Sequence, residues 1–179
     1  YNFEEGRLNV AEVKDSKLDY VLVPFSTNGF IITSFCPVKM VSVAYDKLYL
    51  GSNVESVGEN TVYLSSNFSS LREINVDPAN KYLTAYKNVL YNIGDDAPYF
   101  IPSAITRLEL KPVKVIEKNF IYRLENVEEI VFAEGTERIE AYAVEKCRNL
   151  RKVYVPASVT YMDKEAIYDC GDKVEVIRK

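Results

Sequence analysis

A repeat of 23 residues in the C-terminal third of the chain constrains the fold more than any other feature. Ile116, Ile139 and Met162 lie 23 positions apart. A fixed period of roughly 20–50 residues is the signature of a solenoid, in which each unit buries its apolar face only against the next unit. The other columns in this register are Phe120, Ala143 and Ala166; Leu124, Cys147 and Cys170; Val127 and Leu150; Ile130 and Val153; and Phe132 and Val155.

Each repeat has two halves with different side-chain spacing. Leu150, Val153 and Val155 follow an L-x-x-L-x-L pattern, whose last positions alternate as they do along a β-strand. Ala166 and Cys170 are four residues apart, which favours a short helical turn with both side chains on one face. The sequence therefore predicts an α/β solenoid with a parallel β-sheet on one face and short helical turns opposite.

The strand pattern can be followed toward the N-terminus. Residues 18–46 also allow a hairpin, because Asn28-Gly29 is a strong two-residue turn signal between two apolar segments. A hairpin that elaborates the first unit satisfies both interpretations. The predicted strands are residues 18–23, 45–50, 71–76, 105–110, 127–132, 150–155 and 173–178.

The unit that begins at Leu71 is about ten residues longer than its neighbours, and such an excess has to leave the stack through a loop. We expect residues 77–104 to form an inserted β-hairpin, with Asn88 in its first turn and Gly94–Asp96 in its second. The aromatic residues of this insertion either form an exposed binding edge or pack the hairpin onto the solenoid. They are Tyr82, Tyr86, Tyr91, Tyr99 and Phe100.

The string TERIEAYAVEKCRNLRKVYVPASVTYMDKEAIYDC, residues 136–170, resembles the BspA-type leucine-rich repeat of bacterial proteins. The segment DPANKYLTAYKNVLYN resembles a hairpin insertion common in that family, and the resemblance extends over residues 71–179. Residues at the family's signature positions are Cys147, Cys170, Pro156, Ala143 and Ala166, whereas Val144 and Ile167 stand where the family usually has Phe.

This resemblance implies a right-handed leucine-rich repeat stack at an extracellular or cell-surface location, with adhesion-like roles. We expect an N-terminal cap over residues 1–17 and a solenoid over 18–179. Within the solenoid, units 18–70 are irregular, the hairpin insertion occupies 77–104 and the regular repeats occupy 105–179. The chain begins at Tyr1 rather than Met, so we expect it to be processed or trimmed, and any signal peptide or lipid anchor would lie upstream of it.

The composition argues against catalysis and against several partners. The chain has no histidine, no phosphate-binding glycine loop and no cysteine pair with zinc-ligand spacing, so we predict no enzyme activity, cofactor or metal. A net charge of −4 without a basic stripe disfavours nucleic acid, and no apolar run reaches the length of a membrane span. Asp95-Asp96 is best explained as a hairpin tip, with a weak calcium contact as the alternative.

Cys147 and Cys170 occupy equivalent positions in adjacent units. Parallel strand spacing would bring their Cα atoms to about 5 Å, within the range of a disulfide. Buried cysteine also behaves as a small hydrophobic residue, so two reduced thiols are the favoured interpretation and a disulfide is the alternative.

Strand residues between the core positions should project outward in two columns. The first column alternates in charge, which favours a ladder that fixes strand register. The second ends in an apolar strip that is a candidate binding surface. The first column is Tyr20, Lys47, Glu73, Arg107, Glu129, Lys152 and Glu175; the second is Leu22, Tyr49, Asn75, Glu109, Val131, Tyr154 and Ile177.

The sequence thus predicts a non-catalytic extracellular or cell-surface module that binds a protein or glycan partner. The alternative is a structural spacer of a longer surface protein. The binding-surface candidates are Tyr49, Glu109, Val131, Tyr154 and Ile177 on the strands, and Tyr86, Tyr91, Tyr99 and Phe100 on the insertion.

Overall fold

The structure is a computed structural model that describes residues 2–4, 7–13, 20–23, 26–27, 30–31, 34–40, 46–57 and 70–179. Before residue 46, side chains are described only for Leu22 and Ser34. The chain divides into two compact units. Unit 1 is Tyr1–Asp95 with Tyr99–Ser103, and unit 2 is Asp96–Pro98 with Ala104–Lys179. The described residues contain strands and turns but no helix.

Unit 1 contains two sheets built largely from parallel strands. Its strands are β1 (Asn2–Glu4), β2 (Arg7–Val13), β3 (Tyr20–Val23), β4 (Ser26–Thr27), β5 (Phe30–Ile31), β6 (Ser34–Met40), β7 (Lys47–Leu50), β8 (Ser56–Val57), β9 (Glu73–Val76), β10 (Leu83–Tyr86) and β11 (Val89–Asn92). Strands β3, β7 and β9 pair in parallel, with Val21 beside Leu48 and Leu48 beside Ile74. The second sheet has the order β1–β2–β6–β8, in which only β1 and β2 pair antiparallel.

Two predicted hairpins are confirmed in unit 1. Strands β4 and β5 pair antiparallel on either side of residues 28–29, so the hairpin elaborates the first unit. Strands β10 and β11 pair antiparallel around Lys87 and Asn88, whose φ angles of 49° and 67° suit a two-residue hairpin turn. A second return follows Gly94, at φ 95°, and brings Phe100 back to pair with Leu90.

Unit 2 is a parallel-strand solenoid with three sides. Its strands are β12 (Arg107–Glu109), β13 (Val115–Ile116), β14 (Ile121–Tyr122), β15 (Glu129–Val131), β16 (Arg138–Ile139), β17 (Val144–Glu145), β18 (Lys152–Val155), β19 (Tyr161–Met162), β20 (Ile167–Tyr168) and β21 (Glu175–Arg178). The three sheets are β12–β15–β18–β21, β13–β16–β19 and β14–β17–β20, and every pairing in them is parallel.

The predicted core columns are confirmed for their central members, whereas Phe120, Leu124, Met162 and Cys170 are only half-buried. Leu108 pairs with Ile130 and Ile130 with Val153, and all three side chains are fully buried. On the second side, Ile116 pairs with Ile139 in the same way, and both are fully buried. The step is 22 residues from Leu108 to Ile130 and 23 in the other pairs, and it places equivalent side chains above one another, as a solenoid requires.

The predicted helical turns are wrong for the described repeats. The third side of unit 2 is a sheet, and the N–H of Lys146 donates to the carbonyl of Tyr168 in the next coil, 3.2 Å away, rather than to Tyr142 as in a helix. Left-handed φ angles of 58° at Lys146 and 48° at Asp169 turn the chain at these corners. Ala166 and Cys170 share an inward direction because they flank one short strand, so their spacing imitates that of a helix face.

Replacing Ile139 with alanine should lower the free energy of unfolding by about 2–5 kcal/mol, because the side chain is fully buried and leaves a cavity. Urea denaturation measures this change. Arg138→Ala, on the exposed side of the same strand, should cost less than about 1 kcal/mol. Equal losses in the two variants would contradict the assigned core register.

Thr136 is a polar residue in a column of equivalent positions whose other members are Val113 and Val159. Its side chain is fully buried, and its hydroxyl has no hydrogen-bond partner among the described residues. Thr136→Val keeps the shape and removes the unpaired hydroxyl, so it should raise the free energy of unfolding by about 1 kcal/mol. Thr136→Ala should lower it through the lost methyl contacts, which a parallel denaturation series would show.

Candidate interaction surface

The outward side chains of sheet β12–β15–β18–β21 form the main candidate surface. In the observed register Arg107 lies beside Glu129, Glu129 beside Lys152, and Lys152 beside Glu175, as predicted for the first column. It also aligns the predicted second column, which is Glu109, Val131, Tyr154 and Ile177. We call the outward residues of this sheet together with Lys179 the Tyr154 face.

Ion pairs connect neighbouring residues of the first column and join Arg107 to Glu109 of the second column. Arg107 Nε lies 2.9 Å from Glu109 Oε1, and its Nη1 bonds Glu129. Lys152 Nζ lies 4.0 Å from the other oxygen of Glu129. The bond to Glu109, followed by that to Glu129, raises the pKa of Arg107. These pairs are partly exposed, so each contributes little to stability, but they favour one register over a slipped one.

The apolar strip of the second column is only half exposed. Val131, Tyr154 and Ile177 each remain partly accessible. Two cations lie over the Tyr154 ring: the Arg107 guanidinium carbon is 5.4 Å and Lys179 Nζ 4.4 Å from the ring centroid. Such contacts hold the ring in place and polarise it.

The corresponding face of unit 1 carries Tyr49, the remaining strand candidate. Tyr49 pairs in register with Leu22, which is 59% exposed, and with Asn75. Glu73 bonds the Asn75 amide at 2.7 Å and lies 3.4 Å from Lys47, and these two contacts, the amide first, lower the pKa of Glu73. The face is therefore polar on one side of Tyr49 and apolar on the other.

The aromatic edge predicted on the insertion is largely a core element. Tyr91 and Phe100 are buried at 0% and 4% exposure, so their assignment to a binding surface is wrong. Tyr99 is half-buried, and its hydroxyl bonds the backbone N–H and carbonyl of Val57 at 3.2 and 3.3 Å. Of the five aromatic residues predicted for this edge, Tyr82 and Tyr86 remain exposed, at 46% and 36%.

Sequence reasoning missed Asn80, which fixes the base of the insertion. This residue is 6% exposed, and its amide NH₂ donates to the carbonyls of Gly51 and Val54 at 2.8 and 2.9 Å. Its carbonyl oxygen accepts the N–H groups of Tyr82 and Leu83, both at 2.8 Å. One side chain thus connects the hairpin to the preceding coil. The only sequence signal was the turn-forming DPAN segment.

A second group that the sequence analysis missed lies on the third side of unit 2. Tyr122, Glu145 and Tyr168 are aligned there, and both tyrosines are exposed, at 43% and 48%. Lys146 Nζ lies 3.2 Å from the Tyr122 hydroxyl, and Tyr142 meets Tyr168 edge to face at 5.0 Å. The interval of 46 residues between Tyr122 and Tyr168, two full repeats, could have revealed this alignment.

Unit 1 also contains an open cleft of about 530 Å³ between β9 and the insertion hairpin. Its walls include Asn75, Asp77, Lys87 and Asn88. None of the predicted binding residues lines this cleft.

The acidic tip behaves as a turn. Asp95 Oδ2 accepts the side-chain amide of Asn92 at 2.9 Å, and the Asp95 N–H donates to the Asn92 carbonyl. Within the described ranges, no group of three or more His, Cys, Asp or Glu side chains could hold a metal ion.

The repeat architecture agrees with a known family. The model of the BspA type leucine rich repeat region matches residues 46–173 in 6 copies. The chain belongs to the BspA-type leucine-rich repeat family. The resemblance inferred from Cys147, Pro156 and Cys170 is thereby confirmed. No curated protein matches this BspA-type chain significantly.

Three solved structures resemble the BspA-type chain at low identity. A leucine rich cell surface protein from Faecalibacterium prausnitzii A2-165 is 18% identical with a TM-score of 0.38, and the match covers 83% of this chain and 52% of that one. The pneumococcal vaccine antigen PcpA is 16% identical with a TM-score of 0.48, over 95% of this chain and 50% of that one. A leucine-rich repeat protein from Eubacterium ventriosum ATCC 27560 is 14% identical with a TM-score of 0.34, over 75% of this chain and 48% of that one. The chain spans about half the length of each.

A search of the described part of this BspA-type chain for membrane-crossing helices, judged by length and apolar character, finds none.

Asn80→Ala should lower the free energy of unfolding by about 2–4 kcal/mol, because it removes four hydrogen bonds, two of which, to the Val54 carbonyl and from the Leu83 N–H, are buried. Asn92→Ala is the matched control on the same hairpin, since its amide bond to Asp95 is exposed and should contribute under about 1 kcal/mol. Chemical denaturation of both variants measures the difference. A tolerated Asn80→Ala would show that the hairpin is held by its apolar side chains alone.

Proposed function

We propose that this chain is a non-catalytic recognition module at the bacterial cell surface or outside the cell, and that it binds a protein or glycan partner through the Tyr154 face. The observation that carries the proposal is the aligned strip of Val131, Tyr154 and Ile177 on three adjacent strands of one sheet. Strand spacing makes this strip about 10 Å wide. Family membership supports the surface location.

The contacts of Tyr154 favour a protein partner over a glycan. Stacking on a sugar needs an open ring face, whereas Arg107 and Lys179 already lie over this ring. A protein partner can use the ring edge, the hydroxyl and the two cations together. Because these cations hold the ring, little side-chain freedom remains to be lost on binding.

A structural spacer is the second candidate, and one observation favours it. Arg107, Glu109 and Glu129 satisfy one another within the sheet. Ion pairs within the sheet are sufficient to fix strand register, and a structural spacer requires no other role of this face.

Alanine at Tyr154 should separate the two candidates. The purified chain is tested against an array of extracellular-matrix and serum proteins and against a glycan array. A recognition module binds at least one array protein, and Tyr154→Ala weakens that binding by about tenfold or more, as expected for an aromatic residue at the centre of an interface. Ile177→Ala should weaken it as well.

The matched control is Tyr161→Ala on the second side of unit 2. Tyr161 also lies beneath a cation, with the Arg138 guanidinium carbon 4.3 Å from its ring centroid. This variant should bind like the unaltered chain, and Tyr168→Ala reports on the third side. Binding that survives Tyr154→Ala but disappears in Tyr168→Ala would contradict the proposed face. A chain that binds nothing on either array would support the spacer.

A further inference from the structure

Cys147 and Cys170 are brought together by the third side of unit 2. Strand β17 pairs in parallel with β20, and each cysteine follows its strand at the same distance. Cys147 Sγ lies 3.7 Å from the carbonyl of Glu145, and Cys170 Sγ lies 3.6 Å from the carbonyl of Val144. The two sulfurs thus reach consecutive carbonyls of one strand. Both cysteines are free thiols, as the sequence analysis favoured.

The two thiols differ in exposure and acidity. Cys147 is fully buried, whereas Cys170 is partly accessible. A hydrogen bond from the Cys147 thiol lowers the pKa of Cys170 to about 7, although burial and, to a smaller extent, the Asp169 carboxylate oppose the shift. The same hydrogen bond, followed by burial, raises the pKa of Cys147. Cys170 is therefore the more acidic and the more accessible of the two sulfurs, and the thiolate is the form of cysteine that acts as a nucleophile.

Packing alone does not require sulfur at this position. The equivalent residue of the first regular repeat is Leu124, so the column also accepts an aliphatic side chain. The two cysteines occupy adjacent coils, where parallel strand spacing of about 4.8 Å falls inside the Cα range of a disulfide.

We propose that Cys170 and Cys147 are a reactive dithiol site that small-molecule disulfides convert into a disulfide bridging two adjacent coils. The Cys170 thiolate attacks one sulfur of a disulfide such as oxidised glutathione, forming a mixed disulfide and releasing a glutathione thiolate. The Cys147 sulfur then attacks the Cys170 sulfur and releases the second glutathione, to which its proton passes. One oxidised glutathione becomes two reduced molecules, and the protein loses two hydrogens.

The bridge has a structural consequence that does not depend on ligand binding. It closes a loop that contains strands β18, β19 and β20, which restricts the unfolded chain and links the coil that ends at Cys147 to the coil that ends at Cys170. The oxidised chain should therefore unfold at a higher temperature than the reduced chain.

The test treats the folded, reduced chain with oxidised glutathione, blocks the remaining thiols and maps the peptides by mass spectrometry. Trypsin cleaves after Arg148 and Lys164 and so separates the two cysteines. The expected product is a Cys147–Cys170 linked peptide, with both thiols lost together. Cys36 lies in a separate tryptic peptide, so the blocking of its thiol can be followed independently in the same digest.

Single substitutions distinguish the roles of the two sulfurs. Cys147→Ala should accumulate a stable glutathione adduct on Cys170, because the resolving thiol is gone. Cys170→Ala should leave Cys147 unmodified while the chain is folded, which circular dichroism confirms. Modification of Cys147 in the folded Cys170→Ala variant would overturn the assignment of roles. If neither thiol of the unaltered chain reacts until guanidinium unfolds it, the two cysteines are inert core residues and the proposal is wrong.

Discussion

The backbone hydrogen bonds between successive coils are the constraint on which unit 2 depends. The N–H of Val144 donates to the carbonyl of Ala166 at 2.9 Å, and that of Tyr142 to Glu165 at the same distance. Each bond joins residues in neighbouring coils, and paired strands lie 22 or 23 residues apart, so a coil of much greater length would lose these partners. The spacing of the core columns follows from this ladder, because side chains above paired backbone groups point the same way.

The same constraint explains how unit 1 accommodates its longest repeat. Extra residues cannot enter the ladder, so they leave after β9 as a hairpin whose base is tied to the preceding coil by Asn80. Leu83, Leu90 and Phe100 then join the core of that unit. An insertion that resembles an appended loop in the sequence is therefore part of the folded core, which leaves few of its aromatic side chains for recognition.

The surface of unit 2 shows why a binding role is harder to assign than a fold. Burial fixes the identity of the inward columns, but an outward column can serve register, solubility or recognition. On the Tyr154 face, charge pairing between Arg107 and Glu129 serves register, and the half-exposed ring of Tyr154 is available for contact. Arg107 takes part in both arrangements, since it pairs with Glu129 and also lies over the Tyr154 ring.

The sequence by itself determined the repeat length, the strands of the first side and the pairs that lie beside one another, such as Ile130 with Val153. These positions could be predicted because two independent patterns agree on them, the alternation of side chains along a strand and the 23-residue repeat. Where the sequence offered only one such pattern, the tertiary structure decided the conformation. An i, i+4 spacing at Ala166 and Cys170 suits a helix and a two-residue strand between corners equally, and hydrogen bonds to the neighbouring coil select the strand. The burial of Tyr91 was likewise decided by packing against residues distant in the chain, which no local pattern records.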